Sequence, residues 1–230
     1  MSYHSFNNYI NKENIHTIFE LGSRDLIDAQ KLINYYSNSI CHSFECNPDC
    51  LIKCKNNFQK MNENDKNKII LVEKAVSLST EKTTFYPFDL NKYDNMGASS
   101  MFEIDFSNRH PNDPDYNKKN VQNKIHVDGI RMDKYMIDNN IKNIDLLCMD
   151  LQGYELNALK SFGEKIKNIK YIITECSINS TYIGGVKFYD LNKYLEENGF
   201  KYIVSNKFGR NFPNSNINFF CEFDSLFVRM

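Results

Sequence analysis

Four carboxylates close apolar runs along this chain. Glu20 follows Thr17-Ile-Phe, and Glu45 follows Ser39-Ile-Cys-His-Ser-Phe. Asp150 follows Asp145-Leu-Leu-Cys-Met, and Glu175 follows Tyr171-Ile-Ile-Thr. Short apolar runs bounded by turn residues read as buried strands. In an open α/β sheet, ligands bind outside the carboxyl ends of the strands. A carboxylate buried without a partner is expensive, so acids at these ends call for a ligand that brings hydroxyl and cationic groups. Gly22 supplies the turn such a site needs: without a Cβ, the backbone can bend sharply against a ligand. The helical spacing that starts at Leu26 (Ala29, Leu32, Ile33) puts unpaired helix N–H groups beside that turn. The stretch is not the G-x-G-x-x-G dinucleotide fingerprint, since two of its glycines are missing.

The elements that position these acids follow one another in the chain. Met1 to Asn14 is polar and reads as a short helix ahead of the first strand. Asn47 and Pro48 fit the cap and first position of a helix over Cys50 to Met61. The separation of Gly22 from Glu45 suits a nucleotide-type site, with the acid accepting both ribose hydroxyls. Ile69 to Val76 is a third strand whose end lies along an adenine ring. Residues 79–127 differ in character, with three of the five prolines. They read as an insertion over the site, with Phe85-Tyr-Pro-Phe88 and Met101 to Phe106 alternating weakly as an edge hairpin does. Val127 to Ile137 returns the chain into a helix. Gln152-Gly153 turns the fourth strand into the amphipathic helix Tyr154 to Phe162. Strand five ends at Glu175, Phe188 to Asn198 is a helix, Tyr202 to Ser205 a strand, and Ser225 to Met230 the last strand.

Composition narrows the function. The 230 residues fit one α/β domain, 1–230. Net charge is −1 and pI about 6.5, so no global basic field favours nucleic acid. No apolar run reaches the ~20 residues of a membrane span, and the polar N-terminus lacks a signal-peptide core. The expectation is a cytoplasmic protein with no membrane partner. Seven cysteines without a C-x-x-C pair read as reduced small hydrophobes, despite the four-residue spacing of Cys46, Cys50 and Cys54. A ligand with hydroxyls and an ammonium group matches S-adenosylmethionine. An acid at Glu20 would instead repel the pyrophosphate of NAD, so the chemistry inferred is methyl transfer.

Several motifs together resemble the FkbM-type methyltransferases: Phe19-Glu-Leu-Gly-Ser-Arg-Asp25, Phe44-Glu-Cys-Asn-Pro48, Lys74-Ala-Val-Ser77 and Asn95-Met-Gly-Ala-Ser-Ser100. Asp145-Leu-Leu-Cys-Met-Asp-Leu-Gln-Gly-Tyr-Glu155, with its D-x-Q-G-x-E element, and Asp224-Ser-Leu-Phe227 complete the set. Ser23-Arg24-Asp25 departs from the Ala-Asn of many relatives. The resemblance implies a Rossmann-like methyltransferase fold: a mostly parallel seven-stranded sheet, helices on both faces and an insertion after strand three. It also implies S-adenosylmethionine as donor and a sugar or related small-molecule or glycan hydroxyl as acceptor. By that resemblance Glu20, Gly22 and Ser23 contact the methionine end and Glu45 the ribose, with Asp25 and Cys46 in the same motifs. Ala75 and Val76 flank adenine, and Ser99 and Ser100 reach in from the insertion.

Asp150 stands where the transferred methyl emerges, so it either deprotonates the acceptor hydroxyl, positions it, or binds the donor's ammonium. Glu175 holds the acceptor or, with Asp150, a divalent ion; two acids do not establish a metal site. His110 and His126 read as surface histidines. Two other functions stay open: methylation of an RNA ribose, and a binding protein that kept the fold without the chemistry.

Overall fold

The computed structural model describes residues 3–109, 111–206 and 222–230. Two 3-10 turns, Tyr3–Tyr9 and Lys12–Asn14, lead into β1 (Thr17–Leu21), α1 (Ile27–Tyr35) and β2 (Ile40–Phe44). Next come α2 (Pro48–Lys60), α3 (Glu63–Lys66), β3 (Ile69–Val72), β4 (Ala75–Val76) and β5 (Lys82–Phe85). β6 (Ile125–Ile130), α4 (Met132–Asp138), β7 (Ile144–Met149) and α5 (Glu155–Lys160) follow. The chain ends with β8 (Ile169–Ser177), α6 (Phe188–Glu197), β9 (Phe200–Ser205) and β10 (Glu222–Arg229).

Seven strands form one sheet in the order β3-β2-β1-β7-β8-β10-β9. All its pairings are parallel except those of β10, which runs antiparallel to both β8 and β9. This is the doubly wound, mostly parallel sheet expected from the alternation of strand and helix patterns. Side chains alternate between its faces. Phe19, Leu21, Leu147, Met149, Ile172 and Phe227 pack on one side. Ile18, Leu146, Cys148, Ile173 and Leu226 pack on the other, against α1. Both faces are covered, so the inner strands carry near-continuous apolar runs. The order reverses at β1, whose neighbours are β2 and β7, and a crevice opens there at the strands' carboxyl ends.

Several expected boundaries differ. The third strand is broken between Val72 and Ala75, and its second half, β4, joins a separate sheet of order β4-β6-β5. Val127 to Ile130 is strand rather than helix, because β6 pairs with both β4 and β5. The expected hairpin of 85–88 with 101–106 is not among the pairings: Tyr86 bridges to Ser100, Phe88 to Gln122 and Ile104 to Tyr182. β5 takes β6 as its partner instead, since that pairing buries Phe85 while Pro87 cannot donate to a ladder. The 79–127 stretch has its own small core of Phe88, Phe106 and Val121. α2 begins at Pro48, two residues before the expected Cys50, because the Asn47 side chain caps it by accepting the Asp49 N–H. Of the helix expected over Met1 to Asn14, the described residues 3–14 form two 3-10 turns, and residues 1–2 lie outside the described residues. Among the described residues, no helix is long and apolar enough to cross a membrane.

Candidate active site

A cavity of about 240 Å³ occupies the crevice beyond β1, β2 and β7. The turn after β1 forms its floor. Gly22 has φ +89°, and a Cβ there would stand 2.0 Å from the Asp150 carbonyl oxygen. The turns after β1 and β7 therefore meet in a space that only glycine leaves open. Gly22→Ala should cost about 2–3 kcal/mol of stability, combining a left-handed backbone with a main-chain clash. Urea denaturation measures it, and an unchanged midpoint would contradict the geometry.

Ser23 lies in the same turn, 3 % exposed, and lines the cavity. It is close enough to Glu20 to favour that group's charged form, yet no atom among the described residues meets it in hydrogen-bond geometry. The hydroxyl is thus buried on the Glu20 side of the turn, while the residue itself lines the cavity.

Glu45, after β2, is gripped by main chain. Its Oε2 accepts the Arg24 N–H at 2.7 Å, and Oε1 accepts the N–H groups of Cys46 and Asn47, both at 2.8 Å. Burial raises its pKa, and the three N–H donors oppose that rise. The arrangement aims a carboxylate, with lone pairs to spare, into the cavity. Cys46, Ala75 and Val76 also reach the wall.

The 79–127 stretch closes the opposite side through Met96, Gly97 and Ser99. Ser99 Oγ accepts from Asn47 Nδ2 at 3.1 Å, which ties this wall to the cap of α2. Gly97 packs against Arg24 so closely that a Cβ would meet its Cδ at 2.9 Å.

Asp150 completes the cavity at the end of β7. Its Oδ1 accepts from Gln152 Nε2 at 2.7 Å, and Oδ2 has no partner among the described residues. The turn behind it is clamped by Glu155, whose Oε1 accepts the N–H groups of Leu151 (2.9 Å) and Gly153 (3.2 Å). Burial drives the Glu155 pKa up to about 7. These contacts give the D-x-Q-G-x-E pattern a structural logic: one acid faces the cavity and the other holds the turn.

Eight of the expected site residues share this cavity: Gly22, Ser23, Glu45, Cys46, Ala75, Val76, Ser99 and Asp150. Four stand behind its wall. Glu20 points to the opposite face of the sheet, 1 % exposed, where its Oε2 accepts from Ser43 Oγ at 2.8 Å. Asp25 caps the Ile27 N–H and pairs with Arg24. Ser100 donates to the Gln152 carbonyl at 2.9 Å. Glu175 joins Asp150 only through Gln152, whose Nε2 also reaches Glu175 Oε2 at 2.9 Å. Arg24, Asn47, Arg109, Gln152 and Tyr182 line the cavity without having been expected there. Gln152 had a signal in its motif; Arg109 and Tyr182, far from the strand ends in sequence, had none. His126 is exposed on β6, and His110 lies outside the described residues. Among the described residues no three His, Cys, Asp or Glu side chains form a metal-holding group, and the six described cysteines are free thiols.

Burial raises the Glu20 pKa from 4.5 to about 8. The native chain thus keeps this proton to higher pH than the unfolded chain does. The resulting stability is complete below about pH 4.5 and is lost as pH rises through 8. Glu20→Gln keeps an acceptor for Ser43 and should gain on the order of 2 kcal/mol over the parent at pH 9, with little difference at pH 5. Guanidinium melts at the two pH values check this, and parallel curves would refute it.

A curated relative, the 2-O-methyltransferase NoeI of Sinorhizobium fredii (strain NBRC 101917 / NGR234), is 24 % identical over 169 residues. The alignment covers 73 % of this chain and 65 % of that protein. The crystal structure of methyltransferase FkbM from Methylobacillus flagellatus KT superposes with TM-score 0.54 at 12 % identity, over 92 % of this chain and 43 % of that one. TrmK of M. capricolum, solved with S-adenosyl-homocysteine, superposes with TM-score 0.50 at 12 % identity, over 100 % of this chain and 69 % of that one. The chain therefore spans less than two thirds of the length of NoeI and of the FkbM structure. The family model described as the methyltransferase FkbM domain matches residues 28–202, well over half of the sequence, and the chain belongs to that family.

Proposed function

We propose that the chain is an S-adenosylmethionine-dependent O-methyltransferase acting on a hydroxyl of a sugar, glycan or related small molecule. The observation that carries this reading is the pairing, across one cavity, of the main-chain-held Glu45 with the open Oδ2 of Asp150. The residues present fit the donor. Glu45 would accept the ribose hydroxyls, Ala75 and Val76 would flank the adenine, and Ser23 and Arg24 would face the methionine end. When bound, the donor supplies a methyl carbon already activated on a sulfonium, which passes to the acceptor oxygen while the bonding electron pair stays on sulfur. The protein's own share is alignment and exclusion of water, with Asp150 taking the hydroxyl proton late in the transfer.

The name of NoeI supports O-methylation as the reaction type. Charged groups along the cavity are mixed in sign: Asp28, Glu45, Asp150 and Glu222 together with Arg24, Lys74 and Arg109. A nucleic-acid track would need a basic stripe, and this mixture favours a compact acceptor. The test is transfer from isotopically labelled S-adenosylmethionine to methyl glycosides, nucleotide sugars and RNA, followed by mass spectrometry. Label in a glycoside or nucleotide sugar supports the reading; label in RNA alone, or in none of them, overturns it.

A further inference from the structure

Gln152 sits between the two acids at the acceptor end of the cavity, and its carboxamide is committed at both ends. Nε2 donates to Asp150 Oδ1 at 2.7 Å and to Glu175 Oε2 at 2.9 Å, while Oε1 lies 2.7 Å from the Tyr182 hydroxyl. An amide nitrogen has two hydrogens, and each has one carboxylate to serve. The reverse orientation would set the amide oxygen against two carboxylate oxygens, so only one orientation satisfies the group. Tyr182, 6 % exposed, is itself anchored, its hydroxyl 2.7 Å from the Ala98 carbonyl oxygen. The backbone is committed as well. Gln152 has φ +53°, an unusual conformation for a residue with a Cβ, and its carbonyl accepts from Ser100 Oγ. The turn thus holds a strained backbone that aims this side chain at both acids.

We propose that Gln152 is the positioning residue of the acid pair: it holds Asp150 and Glu175 in one arrangement, with Asp150 Oδ2 turned to the cavity, and Tyr182 sets the direction of the amide. This inference deepens the reading of Asp150 as the group that meets the acceptor, and rests on it. The groups facing the pair are Glu155 from α5, Glu222 and Asp224 from β10, Tyr182, and Arg109 at the cavity wall. Carboxylates outnumber cations there. Burial and the neighbouring Asp150 push the Glu175 carboxyl well up. A neutral double donor between the acids lowers their mutual repulsion without adding a charge that would bind either one tightly. It also links the 79–127 wall, through Ala98 and Ser100, to the two acids.

The first measurement needs neither donor nor acceptor. Carbon-13 carboxyl resonances are titrated in the free protein, with Asp150→Asn and Glu175→Gln assigning the pair. Gln152→Ala removes both donors, which favour the charged forms, so the pair should titrate about one pH unit higher. Tyr182→Phe keeps the amide but frees its direction, and should move the pair the same way by less. With the methyl glycoside that gives transfer as probe, the acid limb of the turnover profile should follow that shift, and donor KM should stay within about twofold. An unmoved titration in both variants overturns the proposal, as does lost turnover with an unmoved pH profile, which would leave Gln152 a turn residue only. Full turnover in Asp150→Asn would instead defeat the base reading, while the titration would still report whether Gln152 couples the two acids.

Discussion

Asp150→Asn should lower turnover about 10²–10⁴-fold, the range expected when a general base is removed. The substitution keeps shape, and Oδ1 can still accept from Gln152, so the turn clamped by Glu155 should stay in place. What disappears is the capacity of Oδ2 to take a proton from an acceptor hydroxyl. The carboxylate is well placed for that task. It ends a strand whose Leu146, Leu147, Cys148 and Met149 are all fully buried, and its own N–H donates to the Leu21 carbonyl at 3.0 Å. A group held so firmly can keep catalytic geometry without large motion. Single-turnover kinetics at saturating donor, combined with calorimetry of S-adenosyl-homocysteine, separate the roles. Lower turnover at unchanged affinity marks the base. Lower affinity with normal turnover marks a hold on the donor's ammonium group instead. Full activity with full affinity would leave Asp150 a structural residue and refute both.

Glu45→Ala should weaken donor binding by about 2–4 kcal/mol, because a charged acceptor is removed from a partly enclosed site. The loss has two sources. The ribose hydroxyls lose their carboxylate, and the N–H groups of Arg24, Cys46 and Asn47 lose the acceptor that shapes the loop. Glu45→Gln separates them: it retains one carbonyl oxygen for the loop and gives up the charge, so its affinity should fall between parent and Glu45→Ala. Calorimetry with S-adenosyl-homocysteine, alongside thermal melts to report on the loop, measures both. Unchanged affinity in Glu45→Ala would remove Glu45 from the donor site.

Much of this was legible in the linear sequence, because its determinants are local. Apolar runs ending in an acid identify strand ends, Gly22 identifies the turn, and Asn47-Pro48 identifies the start of α2. The Gly22 to Glu45 interval and the D-x-Q-G-x-E pattern sufficed to place Glu45 and Asp150 beside one cavity. Tertiary structure decided which acids face it. Strand side chains alternate, and one position of parity turns a carboxylate from crevice to core. Glu20 lies within β1, on the face covered by α1, whereas Asp150 lies one residue beyond β7, where the chain has left the sheet. That difference cannot be read until the strand's last hydrogen bond is known. Pairing across long separations was equally hidden. β6 pairs with both β4 and β5 at the far end of the 79–127 excursion, and its pairing with β4 takes the third strand out of the main sheet after Val72. Tyr182 reaches Gln152 across 30 positions and Ala98 across 84, so the orientation of an amide between two acids depends on contacts that no local pattern encodes.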